Sequence, residues 1–440
     1  MRFNTFLRWL ALAILLLAGC DEAPPPDLSK QVVATSPAAP LTLTFWHTQT
    51  GAAAASLNAL ANDFHRAYPK ITVRAQSYDS ESDLLRRGIA ALAENKPPDL
   101  IIASHRMIAE FARKDALASL DSLLNDPAIG LTDADRSDLF PSILEAGRLA
   151  DLQNQMYAFP FDARAVVMYY NADLLKSAKV DVPPRTWDQF GTAARSTTKG
   201  NVRGWAMVPN AAVFYAFLFS RGGSALNEMQ TQVQFNGAAG MQTLQLISAL
   251  SKGDAAYVAD NTESAYGDFS QGKTALLFGT TDDLLPISDL IVRTNASLQW
   301  GVTNIPQNDP SHPVTAIYGA RVAIFRTSNE RERAAWLFAR WLAAPEQAAR
   351  WSRTTLAVPV RISAYPLLAN NLPASLPLQR LRDGFGNTLP IGRAMPSVKD
   401  AALIDVAIVE MWTAVANGTD PTAALNRATQ RVNRLLGQMP

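Results

Sequence analysis

Short strand-like segments alternate with helical segments along most of the chain, and this alternation constrains the fold more than any other feature. Leu41 to Trp46 alternates apolar and polar side chains, and residues 52–68 carry apolar side chains at helical spacing. A strand-like segment at 71–78, a capped helix at 80–95 and a short buried strand at 99–103 follow. This succession predicts a parallel α/β sheet with crossover helices.

A second series of strands and helices begins near residue 157 and predicts a second sheet. Its strand-like segments are 166–170, 205–208, 275–278, 300–305 and 321–325. Helical patterns lie between them at 211–219 and 237–250, and further helices fill much of the chain after residue 330. The 440 residues suffice for two domains. We therefore predict an α/β protein of two lobes with a helical C-terminal part.

The first twenty residues have the layout of an export signal. Two arginines precede the apolar run Trp9–Leu17, which is too short to span a bilayer. The run ends in Leu-Ala-Gly-Cys, which resembles the lipobox of bacterial lipoproteins. That resemblance implies removal of a lipoprotein signal peptide, residues 1–19, and attachment of lipid to Cys20. A lone buried cysteine is the alternative.

Residues 20–40 predict a tether, because their proline- and alanine-rich sequence lacks the apolar content for a core. Lysine and arginine number 40 against 39 aspartate and glutamate, so a basic groove for nucleic acid is not indicated. Cys20 is the sequence's one cysteine, which excludes an internal disulfide and a cysteine-based metal site. We expect an exported monomer, held by lipid on the outer face of the cytoplasmic membrane, without a metal or cofactor.

Gly267–Thr274 has the sequence GDFSQGKT, which matches the spacing of a nucleotide-binding P-loop. In a P-loop, a strand delivers the glycine-rich turn and a helix begins at its Lys-Thr. Here the order is reversed, because the polar segment 259–264 precedes the motif and the strand-like segment 274–279 follows it. We therefore predict a turn between a short helix and a strand.

Several short motifs occur in a fixed order after the tether, and their sum is more specific than any one of them. They are LTFWH (43–47), KPPDLII (96–102), YAFPF (157–161), MYYN (168–171), PRTWDQF (184–190), SQGKTALLFG (270–279), WGVTNIP (300–306), AVPV (357–360) and a closing helix at 423–436. In this order they resemble the bacterial extracellular solute-binding proteins of family 1, the receptors of ABC importers for sugars and glycerol-3-phosphate.

This resemblance implies a type II periplasmic-binding-protein-like fold, in which two hinged lobes close on a small-molecule solute and then dock on an ABC permease. By position, it assigns residues 41–160 and 305–345 to one lobe. It assigns residues 161–304 and 346–440 to the other. It also implies that the chain crosses between the lobes at 159–164 and 305–306.

Ligand pockets in open α/β sheets form beyond the carboxyl ends of strands, and a sugar site needs aromatic rings and short polar groups. For the rings of Trp46 and Trp205, packing in the core is an equal alternative. The residues nominated are Trp46, His47, Thr48, Tyr78, Ser104, His105, Trp205, Pro209, Asn210, Thr280, Thr281, Asp282 and Tyr318.

Two arginines raise the possibility of a charged solute. Tyr318-Gly319-Ala-Arg321 departs from the glycine-rich stretch usual in the family, and it places Arg321 where many relatives have no cation. Together, the guanidinium groups of Arg321 and Arg164 would bind a carboxylate or phosphate group of the solute, as in glycerol-3-phosphate or a uronic acid. Alternatively, Asp162 or Asp282 pairs with these arginines and the solute is a neutral carbohydrate or polyol, which is the interpretation that we adopt.

Two other classes of function compete with solute binding. An exported hydrolase is disfavoured, since the sequence has four histidines and contains neither G-x-S-x-G nor H-E-x-x-H. The adjacent acids Asp282 and Asp283 are more typical of solvated surface than of a glycosidase. A sensory lipoprotein on the same scaffold is the second alternative. We predict a binding protein and not an enzyme.

Overall fold

The computed structural model describes residues 37–295, 297–355, 357–368, 391–398 and 400–437. The predicted signal, Cys20 and most of the tether lie outside these residues. The strands are β1 (Leu41–His47), β2 (Ile71–Ser77), β3 (Leu100–Ser104), β4 (Arg148–Leu149), β5 (Gln155–Met156), β6 (Phe159–Pro160), β7 (Arg164–Asn171), β8 (Arg203–Met207), β9 (Ala256–Val258), β10 (Thr274–Thr280), β11 (Trp300–Thr303), β12 (Thr315–Tyr318), β13 (Ala320–Ile324) and β14 (Gly392–Ala394).

Helices cover the sheets and form most of the C-terminal part. They are α1 (Gly51–Ala67), α2 (Glu81–Ala93), α3 (His105–Ala112), α4 (Asp121–Leu124), α5 (Asp133–Asp138), α6 (Pro141–Glu145), α7 (Ala172–Ser177), α8 (Trp187–Thr197), α9 (Ala211–Ser220), α10 (Ala238–Lys252), α11 (Thr262–Ser270), α12 (Leu284–Thr294), α13 (Asn329–Leu342), α14 (Pro345–Thr355), α15 (Ala364–Leu368), α16 (Ala401–Ala416) and α17 (Pro421–Gly437).

The long strands form two mixed sheets, each the centre of one lobe. In the sheet of lobe 1 the order is β2-β1-β3-β13-β6, with β1 parallel to β2 and β3, and β13 antiparallel to β3 and β6. In the sheet of lobe 2 the order is β14-β12-β7-β10-β8-β9, and β11 pairs with β7. The predicted two-lobe α/β fold with a helical C-terminal part is confirmed, but the sheets are mixed, because β7, β11 and β13 pair antiparallel with their neighbours.

Local sequence signals place many of these elements. The Ser80 hydroxyl accepts a hydrogen bond from the Asp83 amide at the start of α2, and Thr186 and Gln189 form the capping box of α8. The P-loop-like segment folds as predicted: helix α11 ends within it at Ser270, Gly272 turns the chain with φ +70°, and β10 begins at Thr274. Its geometry is therefore not that of a phosphate-binding loop.

Apolar side chains fill both lobes. In lobe 1 the ring of Phe338 from α13 packs against Phe45 and Phe64, at centroid distances of 5.5 and 5.0 Å. In lobe 2 helix α9 is buried on every side, and its Phe217 packs against Trp205 and Phe278. Burying such a side chain contributes about 1.5–3 kcal/mol, so these rings stabilise the packing of each sheet against its helices.

The chain passes between the two sheets at neighbouring points. One passage runs from β6 through residues 161–163 into β7, and the other runs from β12 through Gly319 into β13. The two passages touch, since a Cβ atom on Gly319 would lie 2.3 Å from the carbonyl oxygen of Asp162. The second crossing is thus at Gly319 and not at 305–306, because β12 still belongs to the sheet of lobe 2.

The segment after residue 345 also differs from the predicted lobe assignment. Helix α14 packs on lobe 1, where the Trp351 ring packs against Phe161 at a centroid distance of 4.8 Å and Arg350 pairs with Asp63 of α1 at 2.5 Å. By Gly392 the chain is in the sheet of lobe 2. Sequence order alone did not reveal that the chain stays in lobe 1 after residue 345, because this depends on tertiary packing.

Candidate functional site

A cavity of about 460 Å³ lies between the lobes, next to the passage at Gly319. This volume is within the range of small-molecule sites. The carboxyl end of β3 and the start of α3 form one wall, and the end of β12 with residues 394–398 and 400–402 forms the other. Its lining residues from lobe 1 are Glu81, Ser82, Leu85, Ser104, His105, Arg106, Met107, Glu110, Ala146 and Arg321, and those from lobe 2 are Ile317, Tyr318, Ala394, Met395, Pro396, Ser397, Val398, Asp400, Ala401 and Ala402, with Gly319 between the lobes.

A second cavity of about 710 Å³ adjoins the first. His105, Glu145 and Arg148 of lobe 1 face residues 224–230 of lobe 2 across it. Residues 394–397 line both cavities, so this segment separates two compartments of one cleft. The cleft therefore extends along the boundary of the lobes beyond a single compact pocket.

The wall from lobe 1 presents hydroxyl and carboxylate groups at the start of α3. The Ser104 hydroxyl donates to Glu81 at 2.8 Å and accepts from the Met107 amide at 3.4 Å. The Ser104 amide donates to the other oxygen of Glu81, also at 2.8 Å. Glu81 thus fixes the polar end of β3, where the sequence predicts a ligand-facing serine.

Arg321 is a buried cation in the wall of the first cavity. Its side chain donates to the Ile143 carbonyl at 2.8 Å, and its Nε has no hydrogen-bond partner among the described residues. Within those residues, no carboxylate lies within 4.0 Å of its guanidinium. Burial lowers the pKa of Arg321 to about 10, although the charge of Asp162 opposes the shift. A buried guanidinium without a carboxylate partner destabilises the folded state unless a ligand supplies the missing acceptor.

Arg164, by contrast, is neutralised. It contacts Asp282 and lies 3.5 Å from Asp162, and these carboxylates raise its pKa. Asp162 also accepts from the Ala320 amide at 2.7 Å and from the Trp351 indole at 3.1 Å. Asp162 and Arg164 therefore join the two passages between the lobes, and they do not line either cavity described above.

The loop after β10 has internal roles as well. Thr280 caps the turn Thr281–Asp283, and the Thr281 hydroxyl accepts from the Ala165 amide at 3.2 Å. Burial raises the pKa of Asp282 to about 6, with Arg164 opposing the shift. These three nominated residues support the start of β7 from beside the cleft.

Of the nominated rings, Tyr318 lines the first cavity, and it also borders a neighbouring pocket at Pro209 and Asn210. Trp46 and Tyr78 pack against each other at a centroid distance of 4.9 Å, and Tyr78 is buried beneath Arg87. Trp205 is a core residue. The rule that pockets form beyond the carboxyl ends of strands identifies the correct edge of the sheet. It does not predict whether a ring at that edge faces the cleft or packs against a neighbouring side chain.

The two histidines nominated near strand ends differ in their exposure to the cleft. His47 is buried, its pKa is lowered to about 4 by desolvation, and neither it nor Thr48 lines the two cavities. His105 lines both, and its Nε2 has no partner in the described structure. Burial lowers the pKa of His105 to about 3, assisted by Arg321 and two further arginines. His105 is therefore neutral at pH 7.

Sequence reasoning missed Glu81, Arg106 and the segment 393–398. The capped helix start at Ser80 lies directly after β2, and that signal could have nominated Glu81. The segment 393–398 has no periodic pattern, and its place in the cleft depends on packing between distant parts of the chain.

The family model described as bacterial extracellular solute-binding protein matches residues 48–349. The chain belongs to this family. It is accordingly an extracytoplasmic solute-binding component of an ABC importer, and the family is non-enzymatic. Within the described residues, no cluster of histidine, cysteine, aspartate or glutamate suits a metal ion, and no helix has the length and apolarity to cross a membrane.

Relatives of the family bind different solutes. The sn-glycerol-3-phosphate-binding periplasmic protein UgpB of Salmonella typhimurium is 24% identical over 421 residues, covering 90% of this chain and 92% of that protein. The sugar-binding protein MalE of Xanthomonas citri has a TM-score of 0.77 at 20% identity, covering 90% and 98% of the two chains. UgpB of Mycobacterium tuberculosis, solved with glycerophosphocholine, has a TM-score of 0.70 at 20% identity, covering 90% and 99%. These structures confirm the type II periplasmic-binding-protein fold.

Proposed function

We propose that this chain captures a small carbohydrate or related polyol in the cleft between its lobes and delivers it to the transmembrane subunits of an ABC importer. The composition of the first cavity supports this. Acceptors on Glu81 and Glu110 and the hydroxyls of Ser104 and Tyr318 surround a space large enough for a sugar. Hydroxyl groups of a polyol both donate and accept hydrogen bonds, so a mixed lining of this kind suits them.

The second cavity supports a solute larger than a single sugar ring. Its lining is rich in amides and charged groups, including Asn227, Gln230 and Gln234. A protein with a similar fold, from Arthrobacter globiformis, binds cyclic α-maltosyl-1,6-maltose, at a TM-score of 0.75 and 20% identity over 91% of this chain and all of that chain.

Binding to the purified chain tests the proposal. We expect one neutral saccharide or polyol in a panel to bind saturably and to raise the melting temperature, since a ligand at one hundred times its Kd stabilises the folded state by about 2.7 kcal/mol. Mass spectrometry of co-purifying small molecules should identify the same class. If only anionic solutes bind, the neutral assignment is wrong. Turnover of the bound sugar would contradict a pure binding function.

An anionic solute is the second candidate, and one observation favours it. Arg321 is buried in the cavity wall without a carboxylate partner among the described residues, and an anionic group of the solute would pair with its guanidinium. Arg164 does not add to this argument, because Asp162 and Asp282 already neutralise it. The relatives that bind glycerol-3-phosphate are consistent with this alternative.

The variant Arg321→Met separates the two candidates. If the solute carries a phosphate or carboxylate on Arg321, we expect its affinity to fall about 100-fold, since truncating a buried charge partner costs 2–5 kcal/mol. A neutral polyol should lose less than about 5-fold. The matched control is Arg221→Met, which removes a buried guanidinium stacked 3.7 Å from the Trp187 ring, away from both cavities. Equal effects of the two variants would show that Arg321 acts through stability alone.

We further propose that lipid on Cys20 holds the chain at the membrane beside the permease. The export-signal layout and the lipobox-like tetrapeptide support it, and residues 20–40 would extend up to roughly 60 Å at about 3 Å per residue. Cys20→Ser is expected to release the protein from membranes and to abolish the acyl mass increase at the mature N-terminus. A Cys20→Ser protein that still sediments with membranes would contradict lipid anchoring.

A further inference from the structure

Two arginines, Arg106 in α3 and Arg113 directly after it, reach across the cleft from lobe 1 to lobe 2. The Arg106 guanidinium donates to Asp405 of α16 at 2.5 Å and to the Pro396 carbonyl at 3.4 Å. Arg113 donates to the Ser397 carbonyl at 2.8 Å. These contacts connect the lobes at a distance from the two strand passages.

The Arg106–Asp405 pair joins two firmly packed elements. Helix α3 buries Met107, Ile108 and Phe111 in lobe 1, whereas α16 buries Ile404, Ile408, Met411 and Trp412 in lobe 2. The Asp405 carboxylate is also oriented within lobe 2, because it accepts from the Tyr215 hydroxyl at 3.0 Å. A relative movement of the lobes at this point must therefore break the pair.

The charges around the two arginines distinguish their roles. Arg113 pairs with Asp151 at 2.7 Å and lies 3.8 Å from Glu110, both in lobe 1. Arg106 has no lobe 1 carboxylate within 4.0 Å in the described part of the chain, and its ionic partner is Asp405. With side-chain exposures of 27% and 22%, the pair is only partly screened by solvent.

We propose that the Arg106–Asp405 ion pair is a latch that holds the lobes closed and thereby slows release of the bound solute. Asp405 is a positioning residue, since it does not line the two cavities that we assign to the solute. The inference rests on the proposed capture of a solute between the lobes. A latch of this kind sets affinity through the fraction of molecules in the closed form.

The test uses the full mature chain with a spin label or fluorophore on each lobe. Asp405→Asn is expected to increase the open fraction of the ligand-free protein and to raise the solute dissociation rate about 5-fold, as for a partly exposed ion pair. The association rate should change less than about 2-fold. Asp405→Glu, which keeps the charge, should recover most of the lost closure.

Arg431→Gln is the matched control, since Arg431 pairs with Glu410 of the same helix α16 but entirely within lobe 2. If Asp405→Asn changes the interlobe distance and the dissociation rate no more than this control does, the latch is refuted. The distance measurement requires no solute. A chain that binds no saccharide or anionic solute, yet opens on Asp405→Asn, would refute the proposed function and retain the latch.

Discussion

Alanine at position 319 is expected to lower the free energy of unfolding by about 3 kcal/mol, the upper end for overpacking a close-packed site. The added Cβ would lie 2.3 Å from the Asp162 carbonyl oxygen and 2.8 Å from the Ala163 Cα. Both contacts are with backbone, so no side chain can rotate away. The two passages between the lobes would have to separate. Urea unfolding monitored by tryptophan fluorescence measures the change.

Gly267→Ala is the control for this prediction. Gly267 lies within helix α11, and a Cβ there would meet nothing within 4 Å. Alanine should stabilise the helix by about 0.5–1 kcal/mol. If both substitutions leave stability unchanged or raise it, the passages do not touch as described.

Asp162→Ala is expected to destabilise the chain by about 2–5 kcal/mol, because two hydrogen-bond donors are left without an acceptor at about 1–3 kcal/mol each. Asp162 is buried, and its carboxylate accepts from the Ala320 amide and the Trp351 indole while facing Arg164. Its loss leaves two buried donors unpaired and removes the group that connects both passages to α14. Thermal unfolding of the variant measures the effect, and solute affinity should fall with it.

Asp309→Ala is the matched control, because its side chain is 60% exposed and bonds only within its own turn, to Ser311 and His312. A change within about 0.5 kcal/mol is expected for such a surface site. An Asp162→Ala variant as stable as Asp309→Ala would show that the carboxylate does not support the hinge.

Periodicity and helix caps predicted most of the elements because their signals are local. The strand-end rule nominated Ser104 and His105, the need for an aromatic ring nominated Tyr318, and the departure from the family's glycine-rich stretch nominated Arg321; all four line the first cavity. The same rule nominated Trp46 and Tyr78, which instead pack on each other. It could not foresee that pairing, since a strand pattern fixes alternation but not what covers each side.

Charge pairing was the other part that the sequence left open. Arg164 was nominated as a solute ligand, with pairing to Asp162 or Asp282 as the adopted alternative, and in the structure both carboxylates pair with it. Arg106 and Asp405 were not nominated, because their contact joins residues 299 positions apart. Such pairs become visible only when the two lobes are assembled.

The interleaving of the chain through both sheets has a consequence for biogenesis. β13 lies between β3 and β6, and β14 forms an edge of the other sheet, so each sheet is completed only by a late part of the sequence. Strand pairing between residues so far apart in the sequence slows folding, because the entropy cost of closing long loops comes before the gain from the contacts. During synthesis from the N-terminus, neither sheet can be completed until β13 and β14 have been made. This delay would keep the chain unfolded, which is the state that a secretion channel requires.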